Sequence, residues 1–366
     1  MRKPDFHVHS YFSPDGHMEV AIATEVAIEA GITDLCFTEH MDLGHNMELF
    51  NRVPDFYRMK EAIEQVKSRH SDINIYHGVE VGYIKETAEQ TAKALEDRDL
   101  DYVLLSTHCV DGMDCYMPEA KRGRDKETAY RRYLETVYES VTDTNLQDAY
   151  DCVGHLGYIA KCNYYEDNTL DYEMFPELLD SILLEIIKQG KGIEVNTSGI
   201  NRAGHTLPHP SIIKRYYEMG GRIITIGSDA HRTDRVGENV SETMQMIRGC
   251  GFKEIAVTDV IKDDIEFFKP LAEATKMNAD QMRESIVNLI NKSFKEKTED
   301  KKGNTVYKWK VDTKGFSQKN EPNLIKGLAA ILSGIVLINH KSMSENVINT
   351  LIDLGFSKDD IRKALK

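Results

Sequence analysis

At 366 residues and a formal net charge of −14, the chain has room for two domains or for one α/β barrel with an extension. With 60 aspartates and glutamates against 46 lysines and arginines, and no basic half, it is not built to live on nucleic-acid phosphates. The start lacks a secretory leader's basic segment, apolar run and cleavage site, so a cytoplasmic location is expected; Cys36, Cys109, Cys115, Cys152, Cys162 and Cys250 form no C-x-x-C pair and read as reduced packing thiols.

From residue 5 onward, short β-rich runs alternate with amphipathic stretches of helical length. The runs predict strands over 5–9, 34–38, 73–80, 102–107, 151–155, 192–196 and 222–227, with a weaker one at 254–258. Apolar spacing predicts helices over 19–30, 54–70, 85–96, 126–141, 172–189, 208–219 and 238–250. Gly31, Gly190 and Gly220 follow three of these helices, where a left-handed residue closes the last turn, and Pro54 and Pro208 open two others, where a missing amide hydrogen costs least. Such alternation makes a parallel sheet with crossover helices, and seven or eight units suit a closed barrel better than an open sheet.

The character changes past about residue 270, so a barrel over 1–270 and an extension over 271–366 are expected. In the extension, 271–292 reads as a helix, a charge run leads to a hairpin at 305–312, and an apolar run at 324–339 precedes a helical pattern over 344–366. Lys326 and Gly327 interrupt the apolar run, which reads as a buried helix of a small, mainly helical unit and not as a membrane span. Oligomerisation or partner binding is the role left to this extension.

The strand ends carry the chemistry. His7 and His9 close the first strand and point to one side, His40 follows the second in FTEH, Glu80 ends the third in GVEVGY, His108 the fourth in LLSTH, and His155 the fifth in VGH. Asp229 and His231 end the seventh in GSDAH, and Asp15 lies in the first loop. The C-terminal ends of barrel strands surround one pocket, so six histidines and three carboxylates converge there. Burying them together without a cation would leave like charges facing one another, and divalent metal resolves the conflict. Nine ligands exceed the roughly four to six that one ion takes, which implies two to three ions, with Glu80 as the natural bridge. Nitrogen and oxygen donors without sulfur suit zinc, manganese or iron.

HVHS, Asp15 in SPDG, FTEH, GVEVGY, STH, VGH and GSDAH together resemble the polymerase-and-histidinol-phosphatase (PHP) superfamily, whose metal motifs come in this order. Within it, FSPDG, FTEHMD, VGHLGYIAK, VNTSG and GSDAHRTDRVG are similar to the monofunctional histidinol-phosphate phosphatases. The resemblance covers about residues 1–260 and implies a distorted (β/α)7 TIM-like barrel with a trinuclear centre. It assigns one ion to His7, His9, Glu80 and Asp229, a second to Glu80, His108 and His155, and a third to Asp15, His40 and His231. It further implies hydrolysis of L-histidinol phosphate to L-histidinol and phosphate, a step of histidine biosynthesis.

Clustered divalent ions at a barrel mouth independently suit hydrolysis of a small-molecule phosphate ester, with a metal-bridging hydroxide as nucleophile. The leaving alkoxide needs a proton, and Asp15, Glu80, Asp229 and His231 form the expected catalytic set. Lys161, Arg202 and Arg232, all on loops after strands, and Asn196 at the end of the sixth strand are the expected substrate-binding residues. Some relatives carry arginine where this chain has Lys161, and another in the segment of Ser198; a lysine offers a point charge in place of a fork. Asp111, Asp114 and Tyr116, after His108, are placed to meet a cationic or imidazole-bearing substrate but read first as an acidic surface loop. A phosphodiesterase or exonuclease of the same superfamily is the alternative, disfavoured by the acidic charge; G-x-G-x-x-G and the Walker lysine are absent.

Overall fold

The computed structural model describes residues 2–256, apart from Asp97, Arg122 and Glu254, and the backbone of residues 295–299 and 305–309. Seven parallel strands stand side by side in chain order: β1 (Pro4–Val8), β2 (Asp34–Met41), β3 (Asn74–Gly82), β4 (Tyr102–Ser106), β5 (Cys152–Val153), β6 (Gly192–Asn196) and β7 (Ile224–Gly227). The ring is nearly closed, because Val8 bridges Ala230 just past β7, the His9 N–H donates to Ala230 O at 2.9 Å and the Asp229 N–H to His7 O at 2.7 Å. This is the β/α barrel that the alternation of runs predicts, with the seven strands that the family resemblance implies.

Every residue of β2 is buried, including its charged ones, as in a parallel sheet covered on both faces. Helices supply the outer cover. Phe56–Lys67 shows how: the Asp55 carboxylate caps it by accepting the Arg58 N–H at 3.1 Å, and Phe56, Met59, Ile63 and Val66 recur on one buried face. Inside the ring, Phe6 meets Tyr76 and Tyr102 at centroid distances of 5.2 and 5.4 Å. Tyr102 on β4 reaches Thr225 on β7, three strands away, with 3.0 Å between their hydroxyls. Aromatic packing thus fills one part of the interior and leaves the strand ends to polar groups.

Several boundaries differ from expectation for local reasons. β1 pairs with β2 through a register shift between Asp5 and Val8, an extra residue beside His7 that re-aims the strand's end. The fifth strand is only Cys152–Val153: His155 takes φ 20°, which breaks the ladder, and a Cβ on Gly154 would collide with Ser106 Oγ. After His108 the chain makes a ribbon, Cys109–Val110 with Met113–Asp114, turned by Asp111 (φ 52°) and Gly112 (φ 73°). The Asp-Gly pair is the residue signature of that two-residue turn. Of the weak eighth candidate, only Ile255 and Ala256 are described and neither is in a strand, although the Ala256 N–H donates to Ile224 O at 2.8 Å.

The chain divides into two compact units, Met1–Asp263 and Asp264–Lys366. In the second, Lys295–Glu299 pairs antiparallel with Thr305–Trp309, so the charge run itself is a strand and the ribbon begins ahead of the expected 305–312. The helical segments expected at 271–292, 324–339 and 344–366 lie outside the described residues. Among the described residues, no helix is long and apolar enough to cross a membrane. All six cysteines are free.

Candidate active site

All nine residues expected as ligands meet at the C-terminal end of the strands, around Glu80. Its Oε2 faces His7 Nε2 at 3.2 Å, His9 Nε2 at 3.4 Å and His40 Nδ1 at 3.0 Å. Its Oε1 faces His155 Nε2 at 2.8 Å and His108 Nε2 at 3.1 Å, and accepts the Ser106 hydroxyl at 2.7 Å. Asp229 Oδ1 stands 3.7 Å from His7 Nε2 and 3.6 Å from both His9 Nε2 and His231 Nδ1. Asp15 reaches His231 at 3.2 Å and His40 at 3.7 Å. Four triples, His7/His9/Glu80, His7/His155/Asp229, His40/Glu80/His108 and His9/His40/His231, bring their donor atoms within 4.8 Å of one another.

Three carboxylates that sequence reasoning missed hold this cluster from behind. Glu194 on β6 accepts the His7 Nδ1–H at 2.6 Å on one oxygen and the His155 backbone N–H at 2.7 Å on the other. Asp42 accepts the His108 Nδ1–H at 2.6 Å. Ser13 donates to Glu39 at 2.5 Å and accepts both the His9 Nδ1–H at 3.0 Å and the His40 backbone N–H at 3.1 Å. These bonds assign the ring protons of His7, His9 and His108 to Nδ1 and leave Nε2 as an acceptor facing inward. Two of those acceptors, His7 Nε2 and His9 Nε2, lie 3.0 Å apart. Glu80 Oε2 and Asp42 Oδ2 are buried without a hydrogen-bond donor. A signal existed for two of the three, since Glu39 and Asp42 bracket His40 in FTEHMD; Glu194 is a lone carboxylate in the run GIEVN.

The electrostatics pull in one direction. Burial opposes charge on Glu80, but the imidazoles of His7, His108 and His40 outweigh it and hold its pKa well below the usual carboxylate range. Burial also opposes Asp229, yet Lys161, His7 and His231 bring it well down. Against burial, Glu80 and Asp42 lift His40 to about 10, and Glu194, Glu80 and Asp229 lift His7 well above its usual value. Burial, then His231 and His40, push His9 well below. The cluster demands positive charge at its centre, which either protons on these rings or cations held by their inward nitrogens can supply; only with a cation there do the inward nitrogens of His7 and His9 stay acceptors.

Backbone geometry shows the same site under strain. Asp229 (φ 55°) and His155 (φ 20°) both take a positive φ that non-glycine residues rarely adopt. Gly227 ends β7 where any Cβ would collide with the His7 Cβ and with Glu194 Oε1.

A cavity of about 500 Å³ opens on the cluster. Lys161 lines it and pairs with Asp229 Oδ2, which Ser198 Oγ also approaches at 3.2 Å. Arg202 lines it and is exposed; Arg232 lines it with its side chain 68% exposed and forked onto Asp234 at 3.1 Å. Asn196, expected to bind substrate, is fully buried and outside the lining: its amide lies 3.4 and 3.3 Å from the Glu194 oxygens and its carbonyl takes the Ser198 N–H at 3.0 Å. It stands behind the pocket on the same face of β6 as Glu194, two residues earlier in the strand. Asp111 is the surface acid expected of its loop, paired with Arg124 and Arg132, whereas Asp114 and Tyr116 line the cavity.

Residues 5–198 match the PHP domain model. A histidinol-phosphatase of Lactococcus lactis is 27% identical over 267 residues, 72% of this chain and 97% of that protein. A probable histidinol-phosphatase of Clostridium acetobutylicum is 29% identical over 256 residues, 69% of this chain and 95% of that protein. Among solved structures, the L. lactis histidinol phosphate phosphatase complexed with zinc, L-histidinol and phosphate superposes with a TM-score of 0.65 at 25% identity, over 70% of this chain and 96% of that one.

Proposed function

The chain belongs to the PHP domain family, and from that premise we propose that it is a metal-dependent phosphomonoesterase that converts L-histidinol phosphate to L-histidinol and phosphate. The observation that carries this is Glu80 Oε2: a fully buried carboxylate oxygen, ringed by three imidazole nitrogens, that no donor satisfies. A cation satisfies it, and the inward acceptors of His7 and His9 fit the same group. His7, His9, Glu80 and Asp229 would hold one ion, Glu80, His108 and His155 a second, and Asp15, His40 and His231 a third; zinc, manganese and iron all suit the donor set. When bound, such ions supply a water ionised near neutral pH and charge to balance the phosphate oxygens.

The remaining tasks fall to the chain's own residues. Asp15, with its side chain 42% exposed and against His231 at 3.2 Å, is held ionised by His231 and His40 and can relay a proton from cavity water to the leaving alkoxide. Lys161, only 13% exposed beside Asp229, and Arg202 at the rim orient the phosphate. Asn196 acts one step back, fixing Ser198 and the Glu194 that holds His7. A cytoplasmic location is part of the proposal and is supported by six unpaired thiols.

The test is phosphate release from protein loaded in turn with zinc, manganese and iron, across L-histidinol phosphate, other phosphomonoesters, nucleoside bisphosphates and short DNA, with elemental analysis. Preference for L-histidinol phosphate with two to three ions per chain is the expected result. Preference for the bisphosphates or DNA, or one ion or none after metal-replete preparation, would overturn it.

A further inference from the structure

One buried carboxylate behind the cluster has two imidazoles to serve. Asp42, one residue past β2, is buried, and among the described residues its ion-pair partners are two histidines, with no lysine or arginine. Its oxygens face different rings: Oδ1 accepts the His108 Nδ1–H at 2.6 Å, while Oδ2 lies 3.4 Å from His40 Nδ1. Both atoms of that second contact are buried, and neither has a hydrogen-bond partner. The place of the carboxylate is reserved by Gly82 at the end of β3, where any Cβ would collide with Asp42 Oδ1.

His40 turns its Nε2 toward the third site, 3.4 Å from His231 Nε2 and 3.7 Å from Asp15. A ring that gives Nε2 to a cation carries its proton on Nδ1 and needs an acceptor there. Two carboxylates face that nitrogen, Glu80 Oε2 at 3.0 Å and Asp42 Oδ2 at 3.4 Å. Glu80 Oε2 is the oxygen given to the cations, which leaves the proton to Asp42; a shift of about half an ångström brings the contact to hydrogen-bond length. His108 faces Glu80 at the second site through Nε2 and is already held from behind by the other oxygen of the same carboxylate. Ordering Asp42 for one ring orders it for the other, and a coupling of this kind is reciprocal. We propose that Asp42 is a positioning residue that ties occupancy of the second site to occupancy of the third, so that the two fill together. The inference rests on the metal-dependent reading above and adds how the centre is loaded: activity rises over a narrow range of free metal, and the centre is seldom left with one of the pair.

The experiment titrates the metal-stripped full chain with manganese in a chelator buffer and counts bound ions by native mass spectrometry, for wild type and Asp42→Asn. Asparagine has a single carbonyl oxygen, so it accepts from one ring and turns its NH2 toward the other. In the variant the last ion should bind at least about tenfold more weakly, so that the two-ion species accumulates, while the affinity for the first ion changes less than about threefold. A smaller loss for the last ion, or an equal loss for all three, overturns the proposal. Should Asp42→Asn fail to fold, Gly82→Ala, which keeps the carboxylate but displaces it, carries the test with the same expectation and the same two contrary outcomes. Wild type that stops at two ions has no pair for Asp42 to couple and overturns this inference alone; wild type that binds one ion or none overturns the metal-dependent reading with it.

Discussion

Asp34 and Glu80 are buried carboxylates on adjacent strands of one barrel, at opposite ends, and their surroundings are opposite. Asp34, at the start of β2, takes Arg2 Nε at 3.0 Å, Thr33 Oγ1 at 2.7 Å, Asn74 Nδ2 at 3.0 Å and Tyr76 OH at 3.3 Å. Glu80, near the end of β3, takes one hydroxyl and faces five ring nitrogens. The first carboxylate is satisfied by the protein; the second is complete only with a cation. A barrel keeps its stability at the N-terminal end of the strands and its chemistry at the other, and these two residues show the division in hydrogen bonds.

The contrast is broken most sharply at Glu80. Glu80→Gln keeps the shape and removes the charge, so kcat should fall about a thousandfold with bound metal falling alongside, a loss of about 4 kcal/mol in transition-state stabilisation. Full metal content with full activity would make the carboxylate structural, like Asp34.

Glu194→Gln probes the layer behind. It should leave the fold intact by circular dichroism and weaken metal affinity about ten- to a hundredfold in a chelator titration, because His7 loses the partner that fixes its ring. Unchanged affinity would assign Glu194 to packing.

Lys161→Ala should lower kcat/KM for L-histidinol phosphate about ten- to a hundredfold, the value of one charge-assisted hydrogen bond. Arg232→Ala, by contrast, should change it less than about threefold, since that guanidinium is engaged with Asp234 and largely in solvent. Equal effects would place the phosphate nearer the rim.

Asp34→Asn should do the reverse of Glu80→Gln: kcat/KM unchanged, stability lower by about 2 kcal/mol in urea at pH 7. Burial opposes the Asp34 charge, but Arg2, Thr33 and Asn74 outweigh it and depress its pKa. A depressed carboxylate stabilises the fold above its unfolded value of about 3.9, and that contribution disappears as the pH falls through the lower folded value. The gap between wild type and variant should therefore close below about pH 4; a constant gap would mean that shape, not charge, is at stake.

The active end was readable from sequence because each ligand sits beside an apolar run whose direction is fixed, so His40, Glu80, His108 and His155 could be placed without knowing any contact. What supports them was not. Glu194 serves His7 across 187 positions, and Asp42 serves His108 across 66; no local pattern encodes such pairs. The need for glycine at 154 depends on Ser106 Oγ occupying the space beside it, again a contact between strands. Asn196, expected at the pocket, is buried behind it, and Asp114, read first as part of a surface loop, lines it, because a residue's place at a strand end or in a loop does not say which way the backbone finally turns it.

Gly227 gives no atom to the chemistry, yet any side chain there would strike both His7 and the Glu194 that steadies it. Under random mutagenesis with selection for growth on this activity, position 227 should tolerate fewer residues than several positions that touch the substrate. Charged groups at the rim can be exchanged and the substrate range can drift with them, while this vacancy beside His7 stays closed to every change. The site's evolutionary rigidity lies, in part, in an atom that is not there.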